Sequence, residues 1–175
     1  MKQKFGTYRR WLMRAVFLLI TFHGPLLTSS AQQVTKTRHT KAVKTDVVTT
    51  GTLTIRKPAY ICISTDGDRD QLIMDGTLFT MTTGGKKHTT DSRKNAQFAT
   101  FQKVLTAVIN GQPVAKAEDM TVVTKDGQQT ITITPAKKGR QMFTSFVLVT
   151  DAKTSAFRML RMNDRSGGYV EYIFK

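Results

Sequence analysis

The chain has 175 residues, with 27 Lys and Arg against 12 Asp and Glu, a formal charge of +15, a single cysteine and 28 threonines. This length fits one domain. A single cysteine excludes an intrachain disulfide framework and a cysteine-cluster zinc or iron–sulfur site. The threonine content favours strands over a helical bundle. We therefore expect one β-rich domain that needs no cofactor.

The N-terminus has the order of a secretory signal peptide. Five basic residues and no acidic one precede the apolar run Ala15–Phe22, and the small residues Ser29 and Ala31 follow it. This order predicts a signal peptide over residues 1–31 with cleavage after Ala31. The alternative is a membrane anchor, but the apolar run is much shorter than the roughly 20 residues that span a bilayer. The remaining domain, residues 32–175, would carry a charge of +10 and be exported in soluble form.

Alternation of apolar and polar residues predicts strands along most of this domain. Residues 32–46 are mostly polar, with only a weak alternation of apolar and polar residues, which predicts an irregular lead-in segment and a first strand. Gly51–Thr65 alternates clearly on β-branched residues, and Pro58 interrupts it because proline cannot donate to a strand ladder. One face of this predicted strand carries Leu53, Ile55, Lys57, Ile61 and Ile63.

Turn dipeptides separate the later strands, and one segment has a helical period. Asp75-Gly76 predicts a hairpin, whereas Gly84-Gly85 predicts the start of a polar loop. Within Ser92–Asn110 the apolar residues recur at helical spacing, and Asn110-Gly111 predicts the end of the helix. Short strands are predicted at 71–74, 77–82, 120–124, 130–134, 143–150, 156–162 and 169–174. Together they predict an antiparallel meander or barrel.

The sequence contains no recognisable catalytic pattern. The histidines, at 23, 39 and 88, have no metal-ligand spacing, and there is no nucleophile elbow or phosphate loop. The basic residues are scattered rather than interleaved with aromatics, which indicates a basic solvated surface that favours anionic membranes or acidic partners over nucleic acid. We therefore expect a protein that is not an enzyme, with no metal and no nucleic-acid partner. An envelope enzyme with a dispersed site, tested by substitution of Asp75 or His88, is the weaker alternative.

The order of motifs from about residue 40 to residue 175 resembles the LolA-type outer-membrane lipoprotein carriers of Gram-negative bacteria. The family pattern of Gly, alternating strand, two basic residues, Pro and more strand reads GTLTIRKPAYI from Gly51 to Ile61. An apolar strand with an Asp-Gly hairpin follows as LIMDG, and the tail has a Thr-Pro turn at Thr134-Pro135 and last strands FRMLRM and GYVEYIF. The ordered set of motifs, rather than any single one, carries the resemblance.

This resemblance implies a mainly β (α+β) fold, in which a single curved antiparallel sheet forms an unclosed half-barrel with a helix packed on its concave face. It implies a periplasmic, non-enzymatic carrier or chaperone that binds acyl chains in an apolar cavity for transfer toward the outer membrane. The implied partners are an acylated lipoprotein or lipid cargo, an inner-membrane release complex and an outer-membrane acceptor. The carrier is expected to be a monomer.

The resemblance also implies roles for particular residues. The basic residue that closes the family's helical lid falls on Lys57, and a family aromatic that touches cargo falls on Ile61. Lysine lacks the planar fork of arginine, so closure is expected to be weaker or made differently. The expected cavity lining is Leu53, Ile55, Ile61, Ile63, Phe98, Phe101 and Leu105.

Two alternatives follow from departures from the family pattern. The first segment is too short and polar for the family's initial amphipathic helix, and the central helix is compressed. The cargo is therefore open between a lipoprotein and a free lipid. The other reading is an exported interaction or structural domain, in which the helix is a simple core plug and no ligand binds.

Overall fold

The computed structural model describes residues 30–175, except residue 44 and residues 137–140. The predicted signal peptide lies outside the described residues apart from its last two positions, Ser30 and Ala31, which begin the first strand. Cleavage after Ala31 would leave Gln32–His39 of that strand. No helix in the described residues is long and apolar enough to cross a membrane.

Eleven strands and one helix make up the described part of the chain. In order, they are β1 (Ser30–His39), β2 (Val47–Arg56), β3 (Tyr60–Thr65), β4 (Asp70–Asp75), β5 (Leu78–Thr83), β6 (Lys86–Asp91), α1 (Ala96–Ile109), β7 (Met120–Lys125), β8 (Gln128–Ile133), β9 (Phe143–Asp151), β10 (Phe157–Asp164) and β11 (Tyr169–Phe174).

All the described strands belong to one antiparallel sheet. Their order is β6-β5-β4-β3-β2-β1-β11-β10-β9-β8-β7. Chain neighbours pair within β1–β6 and within β7–β11, and β1 joins the two halves by pairing with β11, where Val34 lies opposite Phe174. The edges of this open sheet, β6 and β7, are consecutive in the chain, and α1 connects them.

The sheet curves strongly around the helix. Strands β5 and β9 lie seven positions apart in the strand order, which would separate them by about 34 Å in a flat sheet. The ring of Phe101 nevertheless stacks on Phe79 of β5 at 5.6 Å and on Phe146 of β9 at 4.4 Å, measured between centroids. The helix therefore lies on the concave face of an unclosed half-barrel, which confirms the predicted fold class.

Strand β2 requires a glycine at the start of the GTLTIRKP motif. A Cβ on Gly51 would lie 1.8 Å from the carbonyl oxygen of Ser64 on β3. Any other residue would force the backbone apart, because an oxygen of the main chain cannot rotate away as a side chain can. The glycine of the motif therefore permits the close approach of β2 and β3.

The hydrophobic core lies between the concave face and one side of α1. Apolar side chains pair across neighbouring strands in rows, as where Leu53 lies opposite Ile63 and Ile63 opposite Leu72. The helix completes the core with six buried apolar residues, Phe98, Phe101, Val104, Leu105, Val108 and Ile109. This placement follows from their helical spacing, which puts all six on one side.

Two segments differ from their sequence-based predictions. The first strand predicted within residues 32–46 is present, but it covers residues 30–39 in the middle of the sheet, where a polar lead-in was also expected. This strand buries Lys36 through an ion pair with Asp70. Lys86–Asp91 form edge strand β6 rather than a polar loop. An edge strand that is largely exposed has no need of apolar alternation, so its sequence does not show the pattern.

Candidate functional site

Helix α1 covers the concave face and has well-defined ends. The side chain of Asn95 accepts a hydrogen bond from the backbone N–H of Gln97 at 3.1 Å and caps the N-terminus. The helix ends at Asn110, and Gly111 follows with a φ of 64°, a left-handed conformation that glycine adopts readily. The end of the helix therefore lies where Asn110-Gly111 predicted it.

Side chains also attach the first half of the helix to neighbouring segments. The Oε1 atom of Gln97 accepts a hydrogen bond from the backbone N–H of Met142, just before β9, at 3.0 Å. The Oγ1 atom of Thr100 donates to the Asp119 carboxylate at 3.0 Å. These bonds join the helix to segments at both sides of the β7–β9 half of the sheet.

At its other end, the helix contacts the β2–β3 turn through Asn110. The Nδ2 atom of Asn110 donates to the carbonyl oxygen of Pro58 at 2.8 Å and to that of Thr106 at 2.7 Å. Lys57 lies in the same turn and is exposed, and its amine makes no hydrogen bond to the described residues of α1. The turn marked by the Arg-Lys-Pro motif does meet the helix, but the donor comes from the helix. The gating role of Lys57 stays a prediction.

The structure brings the predicted lining residues together in the core. Leu53, Ile61, Ile63, Phe98, Phe101 and Leu105 are buried, and Ile55 is half-buried and packs against them. The cavity in this core is lined by four of them, Leu53, Ile61, Ile63 and Leu105, but not by Ile55, Phe98 or Phe101. Its volume is only about 10 Å³, close to what a single water molecule needs. The helix therefore occupies the space that an acyl chain would require.

A larger space lies beside the first half of the helix, and a groove adjoins it. The space, which we call the Gln97 pocket, has a volume of about 120 Å³ and is lined by Phe79, Met81, His88, Thr90, Asn95, Gln97, Phe98 and Met142. The groove has a volume of about 280 Å³, and its lining includes Lys36, Arg38 and His39. Met81 and Met142 line both spaces, which are therefore adjacent. Neither space could be predicted from the sequence, because their walls come from strands and loops far apart in the chain.

A buried ion pair fixes the charge at the polar end of the concave face. The side chains of Lys36 and Asp70 are 7% and 17% exposed. Burial alone would raise the pKa of Asp70, but the hydrogen bonds from Lys36 and from the backbone N–H of Gly84 outweigh it and hold this pKa below its usual value. Each charge therefore has a partner, and the pair has the character of a structural ion pair rather than of a proton-transfer site.

Comparison with known proteins gives matches among solved structures alone, since neither a protein-family description nor a curated protein sequence matches this chain. A LolA superfamily protein from Nitrosomonas europaea is 8% identical, with 86% of this chain and 85% of that chain covered and a TM-score of 0.34. A DUF1329 family protein from Desulfovibrio piger is 9% identical, with coverages of 86% and 85% and a TM-score of 0.38.

A third match is an outer membrane lipoprotein-sorting protein domain from Vibrio parahaemolyticus, which is 9% identical with 83% of each chain covered and a TM-score of 0.36. A protein of the LolA superfamily, which the sequence resembles, is thus among the solved structures that this chain is similar to. All these TM-scores lie below 0.5, a level at which a similar arrangement of strands does not carry over to function.

Proposed function

We propose that this protein is a non-enzymatic periplasmic carrier, which binds the acyl chains of a lipoprotein or a related lipid between the concave face and α1. The observation that carries the proposal is the open, curved sheet, whose concave face is apolar and is covered by one helix. The Gly51–Ile61 motif supports it, because the turn at its end meets the helix. Transfer toward the outer membrane is the use of such a carrier that the resemblance implies.

The energetics of the helix define how loading would occur. Burying its six apolar side chains stabilises the closed form by on the order of 10 kcal/mol. The helix would therefore not leave the sheet for water unaided. An acyl chain with about 14 methylenes gains about 11 kcal/mol on burial, at roughly 0.8 kcal/mol for each. One or two chains could thus replace the second half of the helix on the concave face at little net cost, while the bond from Met142 to Gln97 keeps the first half in place. We therefore expect opening of the second half to be coupled to loading.

Partners at both membranes form part of the proposal. The predicted signal peptide places the mature domain outside the inner membrane, where an inner-membrane release complex would load it and an outer-membrane acceptor would unload it. The excess of basic residues favours approach to anionic membrane surfaces. Because the closed form buries the apolar face, the unloaded carrier would travel without exposing that face to water.

A second function is favoured by the tightness of the interior. With a cavity of about 10 Å³, the helix fills the half-barrel as a core element would. In this alternative the protein is an exported interaction or structural domain, and the helix stays packed on the sheet whenever the protein is folded. The two functions make opposite predictions about ligand content.

Native mass spectrometry of the protein purified from a periplasmic extract without detergent tests the proposal. We expect a mass excess that solvent extraction releases as a fatty acid, phospholipid or acylated peptide, which would also identify the class of cargo. An unliganded mass, together with no uptake of an added fluorescent fatty acid, would contradict the carrier and leave the core-plug alternative.

A further inference from the structure

Gln97, which lines this pocket, has a buried hydrogen-bond donor without a partner among the described residues. Gln97 is 5% exposed, and its Nε2 atom makes no hydrogen bond to any residue that the structure describes. The orientation of this amide is fixed, because its Oε1 atom accepts the backbone N–H of Met142 and the reversed amide would place two donors against each other. A buried donor left unpaired is costly, so an acceptor bound here would be stabilised.

Two of the other polar residues that line the pocket, Thr90 and Asn95, already bond each other, whereas the His88 side chain makes no hydrogen bond to the described residues. The Nδ2 atom of Asn95 donates to Thr90 at 3.4 Å, and its Oδ1 atom accepts the backbone N–H of Gln97 as the helix cap. Because His88 is exposed, the buried donor that is free for a ligand is the uncharged Nε2–H group of Gln97. An uncharged donor in a partly apolar pocket is suited to a carbonyl oxygen rather than to a phosphate or sulfate, which would need positive charge.

The opposite wall of the pocket leads to the apolar interior. The rings of Phe79 and Phe98 stack at 5.0 Å between centroids and line the pocket. Phe79 also lines the small cavity in the core, together with Leu105 of the helix. The free donor is thus one aromatic ring away from the apolar core, which a chain that displaces the second half of the helix would enter.

We infer that the Gln97 pocket binds the carbonyl oxygen at the head of an acyl chain, whether this carbonyl belongs to an ester, an amide or a carboxyl group. This assignment rests on the proposed function and gives the cargo a direction. The carbonyl accepts the Nε2–H of Gln97, and the hydrocarbon chain runs past Phe79 toward Leu105. A pure hydrocarbon fills the same path but leaves the donor unpaired, so the site selects acyl over alkyl compounds.

Competition against a fluorescent fatty acid, cis-parinaric acid, tests the assignment. The competitors are methyl decanoate, decanoic acid and undecane. For each competitor, the inhibition constant of the variant is divided by that of the wild type, so that the solubility of the compound cancels. Gln97→Met removes the donor and is expected to weaken both carbonyl compounds roughly 3- to 10-fold, the range of one hydrogen bond. The constant for undecane is expected to stay unchanged.

A second variant and a control keep this test decisive. Gln97→Glu retains an acceptor for Met142 but removes the donor, so it replaces Gln97→Met if that variant does not fold. Of the three competitors, decanoic acid is expected to lose the most affinity for Gln97→Glu. Gln102→Met changes a glutamine of the same helix that bonds Thr106 instead of lining the pocket, and it should leave all the ratios near one.

The outcomes separate this assignment from the carrier proposal. Equal effects of Gln97→Met on undecane and methyl decanoate would overturn the assignment while leaving the carrier intact. Weakening of decanoic acid alone would overturn the ester and amide forms and restrict the site to free fatty acids. If the wild type binds neither cis-parinaric acid nor any competitor, then the carrier proposal fails and the assignment fails with it.

Discussion

Substitution of Asn110 by alanine separates a helix that opens as a lid from a helix that is permanent core. The bond from its Nδ2 atom to the Pro58 carbonyl oxygen, 2.8 Å long, joins the end of α1 to the β2–β3 turn. Such a bond contributes about 0.5–1.5 kcal/mol. Since about 1.4 kcal/mol corresponds to a factor of ten, its loss should favour local opening of the helix by about 2- to 12-fold.

Amide hydrogen exchange measures this opening residue by residue. A helix of 14 residues is marginal in water when it leaves its packing surface, so detachment exposes its amides to exchange. In Asn110→Ala, amides near the end of α1, over residues 104–109, are expected to exchange about 2- to 12-fold faster. Amides of β1 and β11, in the middle of the sheet, are expected to keep their wild-type rates.

Two further variants complete the experiment. Gln102→Ala removes a side-chain bond internal to the helix, from Nε2 of Gln102 to Thr106 at 3.1 Å, and so controls for changes in helix stability alone. Lys57→Leu tests the gating residue that the resemblance implies. If Lys57→Leu speeds exchange and Asn110→Ala does not, the latch is made by Lys57. If helix and central strands exchange at one common rate in every variant, the helix opens only on global unfolding, and the lid account is refuted.

Three other predictions concern packing, charge and pH. Phe101→Ala should lower the free energy of unfolding by about 3–5 kcal/mol in chemical denaturation, and a bound fatty acid should restore part of this loss because it fills the new space. Ile61→Glu should abolish fatty-acid binding in a fluorescence titration, whereas Ile173→Glu, at a position that is 36% exposed, should not. Thermal unfolding should show stability falling below about pH 4 as Asp70 and Asp151 are protonated, and Asp70→Asn should reduce this fall.

The sign of the pH effect follows from the two carboxylates. The pKa of Asp70 is lowered as described above, and backbone N–H groups of its own turn lower the pKa of Asp151 to about 2. A lowered pKa in the folded state means that both groups stabilise the fold above their unfolded pKa, near 4. This stabilisation is lost as the pH falls through the folded value. Stability that is constant from pH 5 to pH 2 would contradict this reasoning.

The alternating segments and the helix could be predicted because their physical cause is local. Leu53, Ile61 and Ile63 share one face by the two-residue period of a strand, and the same period buries them in the structure. Helix α1 was predicted from its spacing and from the glycine after Asn110, and both features act within a few residues. The curved half-barrel was predicted only through the resemblance, since curvature is a property of the whole sheet.

The remaining features depend on partners that are distant in the sequence. Lys36 is buried because Asp70, 34 residues later, neutralises it, and no local pattern reveals such a pair. The Gln97 pocket arises because the backbone of Met142, 45 residues away, fixes the amide of Gln97. Such contacts follow from the strand order, which the alternation of side chains alone does not specify.

Hydrogen exchange with and without a saturating fatty acid tests most directly whether acyl chains replace the second half of α1 on the concave face. With decanoic acid bound, the amides of residues 104–109 of α1 are expected to exchange faster than in the unliganded protein, while the amides of β1 and β11 exchange more slowly because the ligand stabilises the sheet. Identical exchange in both states would contradict this replacement and identify the helix as a permanent part of the core.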